Sequence, residues 1–107
     1  MAAVMSTIAA QARRTNLVRA AEIRAALDRA EVAGLDRAGW AAAERTAHQL
    51  AGSAGTFGFD GVSEWARYLE RFCAEAAAQP PDPARLGDAR TVLERATQQL
   101  SGEPELD

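Results

Sequence analysis

Apolar positions recur along the chain at alternating steps of three and four, the spacing that lines one face of an α-helix. Three stretches carry the pattern most clearly: Trp40, Ala43, Ala47, Leu50, Ala54 and Phe57; Val62, Trp65, Leu69, Phe72 and Ala76; Leu86, Ala89, Leu93, Ala96 and Leu100. Ala20, Ile23, Leu27 and Ala30 form a further stripe nearer the N-terminus. Start and stop residues fall between the stripes. Gly34 reads as a helix stop and Asp36 as the next N-cap. Gly58-Phe59-Asp60-Gly61 reads as a turn with Asp60 capping the third helix, and Asp82 before Pro83 has the pattern of an N-cap with a first-turn proline. All four prolines lie at or after position 80, so none interrupts the earlier stripes. The pattern predicts helices over about 5–32, divided or kinked near Thr15-Asn16, then 37–56, 61–78 and 83–100. Short links make successive helices antiparallel neighbours. The expected fold is all-α, an antiparallel four-helix bundle with an additional or extended N-terminal helix. It forms one domain over 1–107, with the bundle at about 5–100 and an acidic C-terminal tail at 101–107.

Composition narrows this picture. Of the 107 residues 48% are hydrophobic, but 26 are alanine, so the core is expected to be thin and close-packed. Trp40, Phe57, Trp65 and Phe72 lie on the stripes and are expected inside it; Phe59 and Tyr68 lie off them, and Cys73 flanks one as a buried thiol. All 12 basic residues are arginine, which excludes Schiff-base lysines and the phosphate-loop lysine. A single His and a single Cys exclude the usual all-protein zinc site, so no metal is expected, and one Cys leaves no internal disulfide. The formal charge of −3, with signs interspersed, argues against nucleic acid, which needs a clustered basic face. No apolar run approaches the roughly 18 residues of a membrane span, and Met1–Ala10 lacks the basic start of a signal peptide. The expectation is a cytoplasmic protein with no membrane partner.

One window breaks helix rules. Residues 47–58 place Gly52 and Gly55 inside a helix at a cost of roughly 1 kcal/mol each relative to alanine. On a helical wheel centred on the Trp40/Ala47/Leu50/Ala54 stripe, His48 lies about 130° from the core direction, Gly52 and Arg45 about 170°, and Gly55 about 110°. The lone histidine is thus outside, and the glycine one turn later removes the side chain that would screen it. Ser53 points to a different side of the helix from His48, so no Ser-His-acid arrangement is supported.

If the hairpin reverses at Phe59, His48 and Glu70 are each 11 residues from the turn, roughly 16 Å along the axis. Helix rotation decides whether the two flanks meet. Where they do, the Glu70 carboxylate can accept the Nδ1 proton, fix the tautomer and leave Nε2 as an outward nucleophile. Arg67 falls level with Ala51 and Arg71 level with Ala47, so a guanidinium there could help hold an anion on the imidazole. The plainer alternative is a solvated face, with Arg67–Glu70 or Arg71–Glu75 pairs worth a few tenths of a kcal/mol.

Ala47-His48-Gln49-Leu50-Ala51-Gly52-Ser53-Ala54-Gly55, with Phe57-Gly58 close behind and Tyr68-Leu69-Glu70 further on, resembles the signature of histidine-containing phosphotransfer (HPt) domains. Members of that family are four-helix bundles that carry a phosphoryl group between receiver-domain aspartates or take it from a kinase domain. The resemblance implies a phosphocarrier without kinase activity of its own. His48 would be the phospho-acceptor, Gly52 the position that clears access and Glu70 the residue that orients the imidazole; Arg67 is a candidate phosphate contact from its height on the hairpin alone. The resemblance also implies response-regulator receivers as partners, with a hybrid histidine kinase a further candidate, docking over Ala41, Arg45, Ala51, Gly55 and Arg71. No cofactor is expected, because the receiver brings the Mg²⁺. The chain is expected to act as a monomer.

Members usually carry Lys three residues after the histidine, and here that residue is Ala51. Either the charge has moved to an arginine, or the chain is a degenerate HPt-like adaptor or inhibitor that binds a receiver or kinase without carrying phosphate. A third reading, an unrelated helical subunit whose glycines serve packing, expects Gly52 and Gly55 to be buried.

Overall fold

The computed structural model describes the backbone of residues 2–102 and the side chains of residues 7–102; within that span it is four helices. These are α1 (Ala2–Val32), α2 (Arg37–Thr56), α3 (Asp60–Ala78) and α4 (Pro83–Ser101). Each lies against its two neighbours in chain order, with α4 closing the ring on α1, and α2 and α3 share the most extensive contact. At 1.5 Å per residue the 31-residue α1 is about 46 Å long. That length sets the 47 Å long axis of the molecule, so the N-terminal helix is extended and not additional. No helix among the described residues is long and apolar enough to cross a membrane.

The caps follow the sequence at two of three starts. Asp36 accepts from the Gly39 amide at 2.8 Å and Asp82 from the Arg85 amide at 2.9 Å, with Pro83 in the first turn of α4. Gly34 has φ +81°, the left-handed conformation that stops α1. The α2–α3 turn differs from expectation. Gly58, at φ +86°, closes α2 by donating to the Gly55 carbonyl while the Phe59 amide reaches the Ala54 carbonyl at 2.8 Å. That closure uses up the turn so fully that Phe59 itself is the N-cap of α3, without a side-chain cap bond. Asp60 is therefore the first helical residue, where its charge still faces the positive helix end.

The predicted division near Thr15-Asn16 is absent, and α1 runs unbroken through it. Asn16 does not cap because its amide is spent elsewhere. Fully buried, it donates from Nδ2 to Ser53 Oγ at 3.1 Å and accepts from Arg19 Nη1 at 2.9 Å. This ties α1 to α2 inside the bundle. Arg13 donates to the Gly102 carbonyl at 3.1 Å, and Ser101, assigned to the tail from sequence, still belongs to α4. Positions 103–107 of the expected acidic tail lie outside the described residues.

Among the described residues ten of the 21 buried hydrophobic ones are alanine, so the core is as thin as the composition requires. Trp40 and Phe72 meet edge-to-face within it, centroids 5.6 Å apart. Phe57 and Trp65, expected in the core, are only half-buried. Phe57 is the C-cap of α2, at φ −101° and ψ 16°, and has left the helical stripe. Trp65 is displaced because α3 turns its Val62/Ala66/Leu69/Cys73/Ala76 arc inward, with Ser63 also buried. The off-stripe Phe59 and Tyr68 are half-buried against the core.

Cys73 is fully buried, and burial, with the Glu44 carboxylate second, pushes its thiol up to about 12. Native protein at pH 8 should hold about a thousandfold less thiolate than the ordinary value of 9.0 gives, so Ellman's reagent should react slowly until urea opens the bundle. The folded value is raised, so the stability contributed by the neutral thiol is complete below pH 9.0 and is lost as pH climbs towards about 12. Urea midpoints measured across that range should fall for the wild type and fall less for Cys73→Ala.

Candidate functional site

The site begins with two helices turned towards each other. On α2 the buried arc is Trp40, Ala43, Ala47, Leu50, Ala51 and Ala54, which includes Ala51, a residue off the stripe drawn from sequence. On α3 the arc likewise shifts to include Ser63, Ala66 and Cys73. The shift brings small residues to the seam. His48, three residues before Ala51, and Glu70, between Ala66 and Cys73 in helical spacing, then lie on facing flanks just above it.

At that edge His48 Nδ1 and Glu70 Oε2 are 3.0 Å apart. A carboxylate can only accept, so Nδ1 carries the proton and the neutral imidazole is fixed as the tautomer whose Nε2 lone pair is free. The His48 side chain is 75% exposed and Glu70 29%, so the ring stands in solvent while its partner is held in the groove. Nε2 makes no hydrogen bond among the described residues. The arrangement is an oriented, accessible nitrogen nucleophile.

The two glycines separate in role. A Cβ built on Gly52 meets nothing within 4 Å, so this glycine leaves open space one turn from the imidazole and serves no packing contact. A Cβ on Gly55 would come within 3.3 Å of Ser63 Oγ. That hydroxyl donates to the Ala51 carbonyl at 2.8 Å, so Gly55 admits α3 close to the backbone of α2. Both glycines are exposed, against the burial expected of a purely packing pair.

Two shallow hollows flank the imidazole. One, of about 420 Å³, is lined by Ala41, Glu44, Arg45, His48, Gln49 and Glu70. The other, of about 370 Å³, is lined by His48, Ala51, Gly52, Arg67, Glu70 and Arg71. All the residues singled out from sequence therefore gather around His48 except Gly55, which lines neither hollow. Ala51 needs a correction: at 4% exposure it lies under the seam and offers no docking surface of its own. The Arg71–Glu75 and Arg67–Glu70 pairs of the plainer alternative do not form: Glu75 is taken by Arg85 at 2.5 Å and Glu70 by His48. Glu44 and Gln49 were missed; Glu44 lies one turn before His48, so helical spacing alone could have found it. Ser63 was missed too, and a lone serine in the α3 sequence gives no signal that it will face a glycine. Among the described residues no group of three or more His, Cys, Asp or Glu could hold a metal ion.

The family model for the Hpt domain matches residues 8–103, nearly the whole chain. No curated protein and no solved structure matches it.

Replacing Gly52 by alanine should raise stability by about 0.5–1 kcal/mol, because helix propensity improves and nothing obstructs the methyl. Gly55→Ala should gain clearly less, since Ser63 must yield by a few tenths of an ångström. Urea unfolding of the two variants gives the comparison.

Proposed function

Because the chain belongs to the Hpt domain family, whose members are phosphocarriers of two-component signalling and partners of response-regulator receivers, we propose that it is a phosphorelay intermediate acting through His48. Neutral His48 attacks the aspartyl phosphate of a receiver through Nε2. The acyl phosphate P–O bond breaks, the receiver regains its aspartate carboxylate, and an N–P bond forms. The Nδ1 proton stays on the ring, held by Glu70, whose negative charge offsets the positive charge the ring acquires. A second receiver's aspartate then takes the phosphoryl group by the reverse step. The observation that carries this reading is the 3.0 Å contact between Nδ1 and Glu70, which leaves Nε2 outward beside a glycine that screens nothing.

No cofactor resides in the chain; the receiver supplies the Mg²⁺ and the acidic pocket that stabilise the transferring group. Receivers dock over the His48 face, where Ala41 and Arg45 line one hollow and Arg71 the other, with Gly55 at the edge of the patch. A hybrid histidine kinase carrying such a receiver is a further donor. The protein works as a monomer in the cytoplasm. A second reading, an adaptor that binds a receiver without carrying phosphate, draws on the replacement of the family's usual lysine by Ala51.

Incubation with phosphorylated receivers of the source genome should place an acid-labile, base-stable phosphate on the wild type and none on His48→Gln. Absence of that phosphate, or an undiminished signal in His48→Gln, overturns the relay. Glu70→Ala should slow phosphoryl gain by about 10–100-fold, the worth of one charge-assisted hydrogen bond. For the adaptor reading, receiver binding and signalling should survive His48→Ala intact.

A further inference from the structure

The hollow beside Gly52 is lined by two guanidinium groups, and the one carboxylate that lines it, Glu70, is engaged by His48. Arg67, Glu70 and Arg71 share one face of α3 at helical spacing, and all three line this hollow together with His48. Glu75, one turn after Arg71, is drawn off by Arg85 of α4, and Glu70 is engaged by His48. Glu64, three residues before Arg67, forms no ion pair among the described residues, and neither Arg67 nor Arg71 does. Unpaired guanidinium groups around an open hollow suit the recognition of a tetrahedral oxyanion.

The helix that carries the histidine supplies no cation here. Ala51 is buried with its carbonyl accepting from Ser63, Gly52 has no side chain, and Arg45 lies in the other hollow. We infer that Arg67 and Arg71 together form an oxyanion site on α3, which holds the phosphoryl oxygens on His48 Nε2 and replaces a cation on the histidine's own helix. The assignment rests on the proposed phosphoryl transfer for its physiological occupant, but the site should bind inorganic phosphate without any receiver. Two guanidinium charges against the one Glu70 carboxylate leave the hollow at a net charge of +1 before the dianion arrives.

Two measurements on the full chain test this. In the first, inorganic phosphate is titrated against chloride at matched ionic strength while the Gly52 amide and the arginine Nε–H resonances are followed by NMR. Saturable shifts at Gly52, Arg67 and Arg71 are expected in the wild type, and their loss in Arg67→Gln/Arg71→Gln. Equal shifts in phosphate and chloride, or an unchanged response in the double variant, overturn the site. In the second, phosphoryl gain is timed at saturating phosphorylated receiver, so that weaker docking does not limit the rate. The glutamine double variant should be slower by about tenfold or more, and the Arg67→Lys/Arg71→Lys variant, which keeps the charge, should stay within about threefold of wild type. A glutamine variant as fast as wild type overturns the inference while leaving the relay intact. A wild type that gains no phosphoryl group overturns the relay, and the phosphate titration still decides the site.

Discussion

The close approach of α2 and α3 is the constraint on which the site depends. Helix separation is set by the side chains between the axes, and the buried residues of these two helices include the small Ala47, Ala51 and Ala54 on α2 and Ser63 and Ala66 on α3. Across the seam the Ser63 hydroxyl reaches the Ala51 carbonyl at 2.8 Å, beside space that Gly55 leaves free. His48 and Glu70 stand on the flanks above this contact. A short histidine and a medium carboxylate can meet at 3.0 Å only if the backbones that carry them are held close. A leucine at Ala47 or Ala51 would add core volume and widen the gap, so the thin alanine core and the oriented imidazole are one requirement seen from two sides.

Two demands compete in the short stretch from His48 to Gly55, and the residues divide them. The inward side needs small residues that still exclude water, which alanine meets with full helix propensity. The outward side needs no side chain at all, which only glycine meets. Gly52 costs helix stability to keep the imidazole open, whereas Gly55 costs the same to let Ser63 in. The N-terminal support is separate. Buried Asn16 on α1 is fixed by Ser53, so the turn of α2 after Gly52 is gripped from the opposite side of the bundle.

Periodicity made the helices legible, and cap chemistry made two of their starts legible, because Asp36 and Asp82 act through local bonds that spacing fixes. Asp60 and Asn16 misled for one reason. Each is a good capping residue whose use was decided by non-local structure: the Gly58 closure displaced one and the buried bonds to Ser53 and Arg19 occupied the other. The pairing of His48 with Glu70 was legible in height along the hairpin but not in rotation, and rotation is what the structure supplies. The stripes found Trp40, Leu50, Leu69 and Phe72 but ran on through Trp65 and Phe57, whereas the inward arcs widen instead to take in the small residues Ala51, Ser63 and Ala66. In a core this rich in alanine, small residues beside a stripe are as easily buried as the bulky ones on it.

The absence of lysine changes how such a site would respond to its surroundings. A guanidinium presents a planar fork of donors that matches phosphoryl oxygens, where an ammonium is a compact point charge. A lysine on α2 would move with the imidazole it serves. Here Glu70, Arg67 and Arg71 belong to one rigid helix, and the imidazole belongs to another. The group that fixes the ring and the groups that would hold its cargo therefore cannot shift independently. A slide of α3 against α2, such as a docking partner could impose on this seam, would disturb tautomer control and anion contact together.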